Sequence, residues 1–430
     1  MQSKSLIMSK EPKYISRISD RLLEKKLRSS GALLITGCKW CGKTMSAEQL
    51  VSSVIYMQDV DNSRAYMAMA DTKPSMLLKG DVPRLIDEWQ MAPVLWDAVR
   101  AEVDRRRIPG QFILTGSAVP RDNATAHTGT GRISRVMMRT MSLFESGESS
   151  GEISLGRLFA GTQDDGAMSA LSIQDISYAI CRGGWPASLS FPKEDALEVA
   201  RNYVDAIVEE DVSRVDGVER NPQRVFNLLR SLSRNVCTMA SNTTIIQDMA
   251  ASETSMTAPT FDSYLNALRR IFVIDDTPAW SPAMRSKSAL RTSVKRNFVD
   301  PSIAAAVLRT GPDRLLEDFN AFGFLFESLC HRDMKIYAQA NDGDVFHYRD
   351  RNNLEADMIV ALRDGRWAAV EVKLGNRQIE EAAENLKKLA EKVDSEKMGT
   401  PSFLMVLTGG EYAYRRADGV WVVPVGCLRE

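Results

Sequence analysis

Several protein classes are excluded by what this 430-residue chain has little of. Six cysteines are too few for a disulfide framework at this length. Net charge is -1, from 55 Lys+Arg against 56 Asp+Glu, so there is no chain-wide basic field and any nucleic-acid surface must be a local patch. No stretch approaches the roughly 18 apolar residues that a membrane span needs. The first thirteen residues are polar apart from Leu6, Ile7 and Met8, which predicts no secretory signal there. Internal repeats are lacking too. These absences predict a soluble cytoplasmic protein with reduced thiols and no membrane partner. The 44% hydrophobic and 26% charged residues are an ordinary globular composition, so disorder is not the dominant state. The length allows about three domains at roughly 150 residues each.

Strand and helix signals alternate over the first 145 residues. Gly31 to Thr36 is a short apolar run ending at a glycine, which reads as a buried strand. A helix over Thr44 to Ser53 is expected next, then a strand over Val54 to Asp59. Further strands are expected over Val82 to Asp87 and Gln111 to Thr115, with a helix over Ala92 to Arg106 between them. This alternation implies a parallel sheet covered on both faces. Two soft stretches follow. Ala118 to Gly131 is small, polar and rich in Gly and Thr, and reads as a mobile loop; Glu145 to Gly156 reads as a connector.

The strongest signal is Gly37-Cys38-Lys39-Trp40-Cys41-Gly42-Lys43-Thr44, a full G-x4-G-K-[ST] phosphate-binding loop between a strand and a helix. Glycines let backbone N–H groups turn inward around phosphates, and the helix N-terminus adds a favourable dipole. Lys43 is expected to reach the β- and γ-phosphates of ATP, and Thr44 to ligate Mg²⁺. Cys38 and Cys41 also make a C-x-x-C, for which a redox or zinc reading exists, but no second Cys or His pair is spaced to complete a metal site. Downstream, Leu85-Ile86-Asp87-Glu88 sets two acids at a strand end. Asp87 would hold the Mg²⁺ shell and Glu88 would polarise the attacking water. On the next strand, Thr115 or Ser117 would sense the γ-phosphate or orient that water, or else cap a turn. Arg132 and Arg135 are arginine-finger candidates, in cis or from a neighbouring copy; the alternative is a surface arginine.

At this point a resemblance is plain. Tyr14-Ile15-Ser16-Arg17, the loop from Gly37 to Thr44, Leu85 to Pro93, Phe112 to Ser117 and Gly131-Arg132 together resemble the prokaryotic AAA-type ATPases that carry a C-terminal domain of unknown function, the DUF4143 family. Gly183 to Pro186, Phe298 to Pro301, Phe324 to Glu327 and Glu371 to Lys373 match the same pattern, so the resemblance covers essentially the whole chain. The loop departs from it: the family's Gly-Pro-Arg-Gln-x-Gly-Lys-Thr has Cys38, Lys39, Trp40 and Cys41 in its variable places here. Asp211 and Asp300 recur in the family pattern, and structural capping is the role expected of them.

The middle of the chain turns helical, with Phe261, Tyr264, Leu265 and Leu268 on one helix face. Ile271 to Ile274 then reads as a strand, and the order resembles a winged helix. Between Ser281 and Arg296 stand Arg285, Lys287, Arg291, Lys295 and Arg296 with no acid, a candidate DNA-contacting wing or a solvated basic edge.

Near the C-terminus, two strands flank Asp364-Gly365, a good hairpin turn. With the turn centred on Asp364, Asp357 falls opposite Glu371 and Glu355 opposite Lys373. The other face carries Leu354, Ala356, Met358 and Val360 against Ala368, Val370, Val372 and Leu374, wholly apolar. Asp357 opposite Glu371 is a like-charge pair that needs neutralising, and a divalent cation would do it. The arrangement resembles the PD-(D/E)xK nuclease core, to which the family's C-terminal domain is related. The resemblance implies that Asp357 and Glu371 bind Mg²⁺, that Lys373 acts on the attacking water and that Glu327 completes the metal site. A plain Glu355–Lys373 ion pair, or a degenerate nuclease fold that binds without cutting, are the alternatives.

The expectation is therefore an α/β chain in three parts. These are a P-loop NTPase parallel sheet (1–150), a helical and winged-helix region (151–320), and an α/β restriction-endonuclease-like domain (321–430). Its expected activity is Mg²⁺-dependent ATP hydrolysis, acting on or with DNA. The alternative is a nucleotide-gated protein-binding switch whose nuclease-like domain is non-catalytic. ATP, DNA and further copies of the chain are the expected partners.

Overall fold

Short apolar runs build the first sheet in the computed structural model, which describes residues 14–119, 128–251, 255–281, 293–393 and 398–430. Strands β1 (Ala32–Thr36), β2 (Ser53–Tyr56), β3 (Arg84–Asp87), β4 (Phe112–Gly116) and β5 (Ile133–Met137) lie in the order β2-β3-β4-β1-β5, every pair parallel. Leu33 and Ile35 of β1 enter the main core, while Ala32 and Leu34 join a second cluster with Ile86, Trp96 and Leu114. Both faces are covered, which is why the strand is apolar at consecutive positions. Three elements go beyond the expected pattern: β5, a helix over Ser63–Thr72, and a helix over Ser19–Ser29 that buries Leu23 and Leu27, four residues apart. The helix after the phosphate loop is shorter than expected, Lys43–Glu48, because the chain must turn before β2. Most of the soft loop, 120–127, lies outside the described residues.

Helices follow, among them Ile173–Arg182, Lys193–Ala206, Pro222–Arg234, Asn242–Ala250 and Ala258–Arg270. The last three start on side-chain caps from Asn221, Ser241 and Thr257, which satisfy otherwise orphaned N–H groups. Phe261, Tyr264, Leu265 and Leu268 are buried together as expected. The strand expected over Ile271 to Ile274 does not form. Phe272 sits at φ 59, a left-handed conformation incompatible with extended pairing, and the segment makes one bridge, Ile274 to Phe298. A second bridge joins Thr277 to Lys295, so the two segments run antiparallel on either side of 282–292, which lies outside the described residues. Arg285, Lys287 and Arg291 fall in that stretch.

The chain next contributes β6 (Ile153–Ser154), β7 (Ala167–Met168), β8 (Gly343–Arg349), β9 (Glu355–Leu362), β10 (Trp367–Lys373), β11 (Leu404–Thr408), β12 (Tyr412–Arg415), β13 (Trp421–Pro424) and β14 (Leu428–Arg429). Seven of these form one mixed sheet, β7-β12-β13-β11-β10-β9-β8, and β14 pairs with β6. Residues around 153–168, placed at the head of the middle region by the sequence, are therefore fastened to the C-terminal body. A 22-residue helix, Phe319–Ala340, sends Leu325, Phe326 and Leu329 to one face of the sheet, and helix Ile379–Lys392 sends Leu386 and Leu389 to the other.

The β9–β10 hairpin has the expected register, with Ala361 opposite Trp367 and Met358 opposite Val370. Its faces differ from the expected ones in one respect. A bulge against β8, between Phe346 and Tyr348, gives β9 one extra residue between Ala356 and Ile359. Ala356 and Ile359 consequently share one apolar cluster, while Met358 and Val360 lie in another. The expected apolar row of Leu354, Ala356, Met358 and Val360 is broken at that point, next to Asp357.

Candidate functional site

The phosphate loop leaves β1 at Gly37 and enters the helix at Lys43. At Gly37 the chain passes so close to Met138 that a Cβ would stand 2.1 Å from the Met138 carbonyl oxygen. Gly42 caps the helix at φ 99, which favours glycine. Lys43 lies across the loop, its Nζ donating to the Cys38 carbonyl at 2.7 Å. Cys38 and Cys41 are both buried; burial pushes the Cys38 thiol up, whereas the Cys38 hydrogen bond and then Lys43 outweigh burial and lower Cys41 to about 6.

Two acids and three hydroxyls meet at the mouth of this loop. Thr44 Oγ1 and Thr115 Oγ1 both donate to Asp87 Oδ1, at 2.7 and 2.6 Å. Ser117 Oγ donates to Glu88 Oε2 at 2.9 Å, and the Gln90 amide donates to the same oxygen. Glu88 is held at φ 56, a conformation that costs a non-glycine residue about 1–3 kcal/mol and persists where surroundings enforce it. Burial pushes the Asp87 carboxyl up, and the Thr115 and Thr44 hydrogen bonds pull it back. Lys39, Trp40, Gly42, Lys43, Thr44, Asp87 and Glu88 all line one cavity of about 880 Å³. The hard oxygen donors Thr44 and Asp87 fit a Mg²⁺ ion, which takes oxygen ligands and keeps several waters.

Other parts of this site were not legible beforehand. Arg17, buried, donates to the carbonyls of Cys41 (2.7 Å) and Arg139 (2.9 Å) and pairs with Glu145 (2.9 Å), so it braces the loop from behind. It stands in the Tyr14-to-Arg17 segment of the family pattern, which was its one signal. Asp211 does not cap a helix: it accepts from Lys39 Nζ at 2.6 Å, tying the middle segment to the loop. Beside it, Trp40 stands 5.9 Å from Tyr203, which stands 4.5 Å from Trp185. Asp300 does cap, accepting from Ser302 N, and also takes Thr140 Oγ1 and Gly184 N. Arg132 is misplaced for a finger in cis. It precedes β5 and pairs with Asp104 at 2.9 Å, on the edge of the sheet where β1 begins, whereas the phosphate loop leaves where β1 ends. Five residues of strand separate the two edges by roughly 16 Å. Arg135 lies over the Trp96 ring.

A second acidic cluster stands in the C-terminal domain. Glu327 comes from the long helix, Asp357 from the bulged stretch of β9, and Glu371 and Lys373 from β10. The four expected residues are thus brought together, but a fifth stands among them. Lys295 Nζ lies 2.6 Å from Glu327 Oε1 and 3.0 Å from Asp357 Oδ1. Asp357 Oδ2 accepts from Val372 N at 2.9 Å, and Lys373 pairs with Glu371 at 2.9 Å. The alternative Glu355–Lys373 pair does not form; Glu355 reaches Arg349 instead, at 3.8 Å. Burial opposes the Lys295 ammonium, but Asp357 and Glu327 outweigh it and hold the lysine well above its ordinary range. Lys295 therefore keeps its charge. Burial also works against Asp357, yet Lys295 and Lys373 hold it below the usual carboxylate range, and the excess negative charge is relieved at Glu327 and Glu371, both pushed up by burial and then by Asp357.

Mg²⁺ binds carboxylate oxygens at about 2.0–2.1 Å. Here two of the expected ligand oxygens, on Glu327 and Asp357, already hold the Lys295 ammonium, and Glu371 holds Lys373. Centres of charge +2 and +1 about 3 Å apart repel by on the order of 10 kcal/mol even at an effective dielectric of 20. The residues of this cluster, Lys295 included, do not fit a divalent ion alongside the lysine. Nor does the basic stretch present itself as a free surface where it is described: Lys295 is inside this cluster, and Arg296 is buried against the Ala240 carbonyl, Asn242 and Asp276.

Three family models match in succession: an AAA domain over residues 29–146, a domain of unknown function (DUF8612) over 173–314, and a domain of unknown function (DUF4143) over 322–428. The chain is similar to the uncharacterized proteins Mb2031c of Mycobacterium bovis and Rv2008c of Mycobacterium tuberculosis. Each is 23% identical over 371 residues, 83% of this chain and 76% of theirs. Among solved structures it is similar to the Walker-type ATPase PABY2304 of Pyrococcus abyssi, 15% identical, covering 67% of this chain and 94% of that one at a TM-score of 0.43.

Proposed function

We propose that this chain, an AAA-type P-loop protein with a DUF4143 domain at its C-terminus, hydrolyses ATP with Mg²⁺ and works as a nucleotide-gated switch. The observation that carries this is convergence: Lys43, Thr44, Asp87 and Glu88 face one cavity, and each acid is aligned by a hydroxyl of the β4 end. Thr44 and Asp87 would hold the metal. A bound Mg²⁺ supplies neutralisation of phosphate charge during transfer. Lys43 exchanges the Cys38 carbonyl for phosphate oxygens, and Glu88, fixed by Ser117 and Gln90, takes up the proton of an attacking water. Lys39–Asp211 and Trp40–Tyr203 link the loop to the helical middle segment, so a change in the loop on nucleotide binding is felt there.

The second reading, DNA as target with cleavage by the C-terminal cluster, has less support. Its basic wing rests on Arg285, Lys287 and Arg291, since Lys295 and Arg296 have internal partners. A homo-oligomer would give Arg132 a use, because from its edge of the sheet it serves a neighbouring copy's phosphate site if any. Steady-state ATP hydrolysis tests the main proposal. Lys43→Ala is expected to lower kcat/KM by at least about 100-fold, the scale of losing one charged transition-state donor. Hydrolysis by that variant at the wild-type rate would sink the proposal.

A further inference from the structure

The C-terminal carboxylates belong to the segment matched by one family model, and the lysine among them belongs to the segment matched by another. We propose that Lys295 is the resident cation of this pocket, supplied by the middle region, and that it keeps shut a latent divalent-metal site. Three observations lead there. Lys295 Nζ sits in the fork between Glu327 Oε1 and Asp357 Oδ1, two of the expected ligand oxygens. The ammonium is not held by a surface accident: its side chain is 8% exposed, and the Thr277–Lys295 bridge pins its backbone.

The third observation is a set of further donors around the Glu327 carboxylate. His331 Nε2, on a side chain 1% exposed, stands 3.6 Å from Glu327 Oε1 and has no hydrogen-bond partner among the described residues. Its other nitrogen meets Thr277 Oγ1 at 3.3 Å, which fixes the ring. Glu327, His331 and Cys237 place one donor atom each within 4.8 Å of one another. Metal ligation needs the Glu327 oxygen these donors share, and here the lysine holds it. The pocket is then a place where one domain's positive charge is docked in another's negative socket. This inference does not depend on ATP hydrolysis, and its test is made without nucleotide.

The experiment is Mn²⁺ binding to the full-length, nucleotide-free protein, read by electron paramagnetic resonance of free Mn²⁺ and by the thermal midpoint with and without the ion. Wild type is expected to show no Mn²⁺ site that Asp357→Asn removes. Lys295→Met keeps most of the side chain's volume but not its charge, and is expected to gain one site. Its Mn²⁺ affinity should exceed that of wild type by at least about 100-fold, the scale on which breaking a buried charge pair shifts an equilibrium. Adding Asp357→Asn to Lys295→Met should remove that site again. If Lys295→Met does not fold in metal-free buffer, recovery of a folding transition on adding Mn²⁺ is the same positive result. Mn²⁺ binding by wild type that Asp357→Asn abolishes would overturn the inference. So would a Lys295→Met protein that neither binds the ion nor is stabilised by it.

Discussion

Asp87 and Glu88 at the end of β3 are held by hydroxyls and an amide, whereas Asp357 and Glu371 in the C-terminal sheet are held by lysines. In sequence the two pairs look alike: acids beside apolar strand residues. Neutral donors orient a carboxylate and leave its charge in place for an arriving cation. A lysine orients it too, but cancels the charge and fills the space a cation would take. The first cluster also opens on a cavity of about 880 Å³, while the second is closed over by the long helix and the 293–298 segment. Type of partner, more than presence of acids, separates a site that can use a metal from one that has replaced it.

The sharpest way to test this contrast is to remove charge at each cluster in turn. Glu88→Gln keeps the Ser117 contact but no longer accepts a proton. Its kcat should fall by about 10²–10⁴-fold, the usual worth of a general base, with ATP affinity changed only a few-fold. Turnover near the wild-type rate would remove Glu88 from the chemistry. Asp357→Asn should act on stability instead. Taking away one partner of a buried pair costs about 3–5 kcal/mol, because the ammonium is left under-neutralised. Asp87→Asn should cost under about 1 kcal/mol, since an amide oxygen still accepts from Thr44 and Thr115. Urea unfolding of the two variants checks the difference; equal losses would collapse the comparison.

A third buried acid extends the lysine-held class. Asp275 in the middle region accepts from Arg139 at 2.7 Å and lies 3.3 Å from Lys335, so all three parts of the chain meet there. Burial pushes its carboxyl up, but Arg139 and Lys335 outweigh that and hold it at about 2, against 3.8 when unperturbed. A carboxyl held below its unfolded value stabilises the fold above that value and loses the contribution as pH falls. Asp275 should therefore contribute about 2 kcal/mol above pH ~4, lost as pH falls toward 2. Thermal midpoints of wild type and Asp275→Asn should converge over that window. A gap that stays constant would show that the pair is not what stabilises this junction.

These contrasts also mark how far the sequence can be read. The phosphate loop was legible because its chemistry is confined to eight consecutive residues, Gly37 to Thr44, between a strand and a helix. Asp87 and Glu88 were legible by their place at a strand end, and the hairpin register by the period of two together with Asp364-Gly365. The bulge beside Asp357 had no such signal, since it arises from pairing with β8. Lys295 reads in sequence as part of a basic wing because its neighbours there are basic. Its partners in space, Glu327 and Asp357, stand 32 and 62 residues away. Lys39 and Asp211 are 172 apart, and Arg132 had the right residue type on the wrong edge of the sheet. Local chemistry shows in a single sequence; which charge neutralises which, across domains, does not.

The smallest effect expected is at the contact where the two classes overlap. Lys39–Asp211 is a lysine–carboxylate pair like those in the C-terminal cluster, but it sits at the nucleotide cavity and its lysine side chain is 45% exposed. If burial is what makes the C-terminal pairs costly to break, this one should be cheap. Exposed and half-exposed ion pairs contribute about 0.2–1 kcal/mol, weakened further by salt. Lys39→Met should therefore lower stability by no more than about 1 kcal/mol, while loosening the tie between loop and middle segment enough to change the KM for ATP a few-fold. Urea unfolding and ATPase kinetics on the same preparation read both quantities. A stability loss as large as that of Asp357→Asn would show that a lysine partner alone sets the cost, and that the solvent around Lys39 does not soften it.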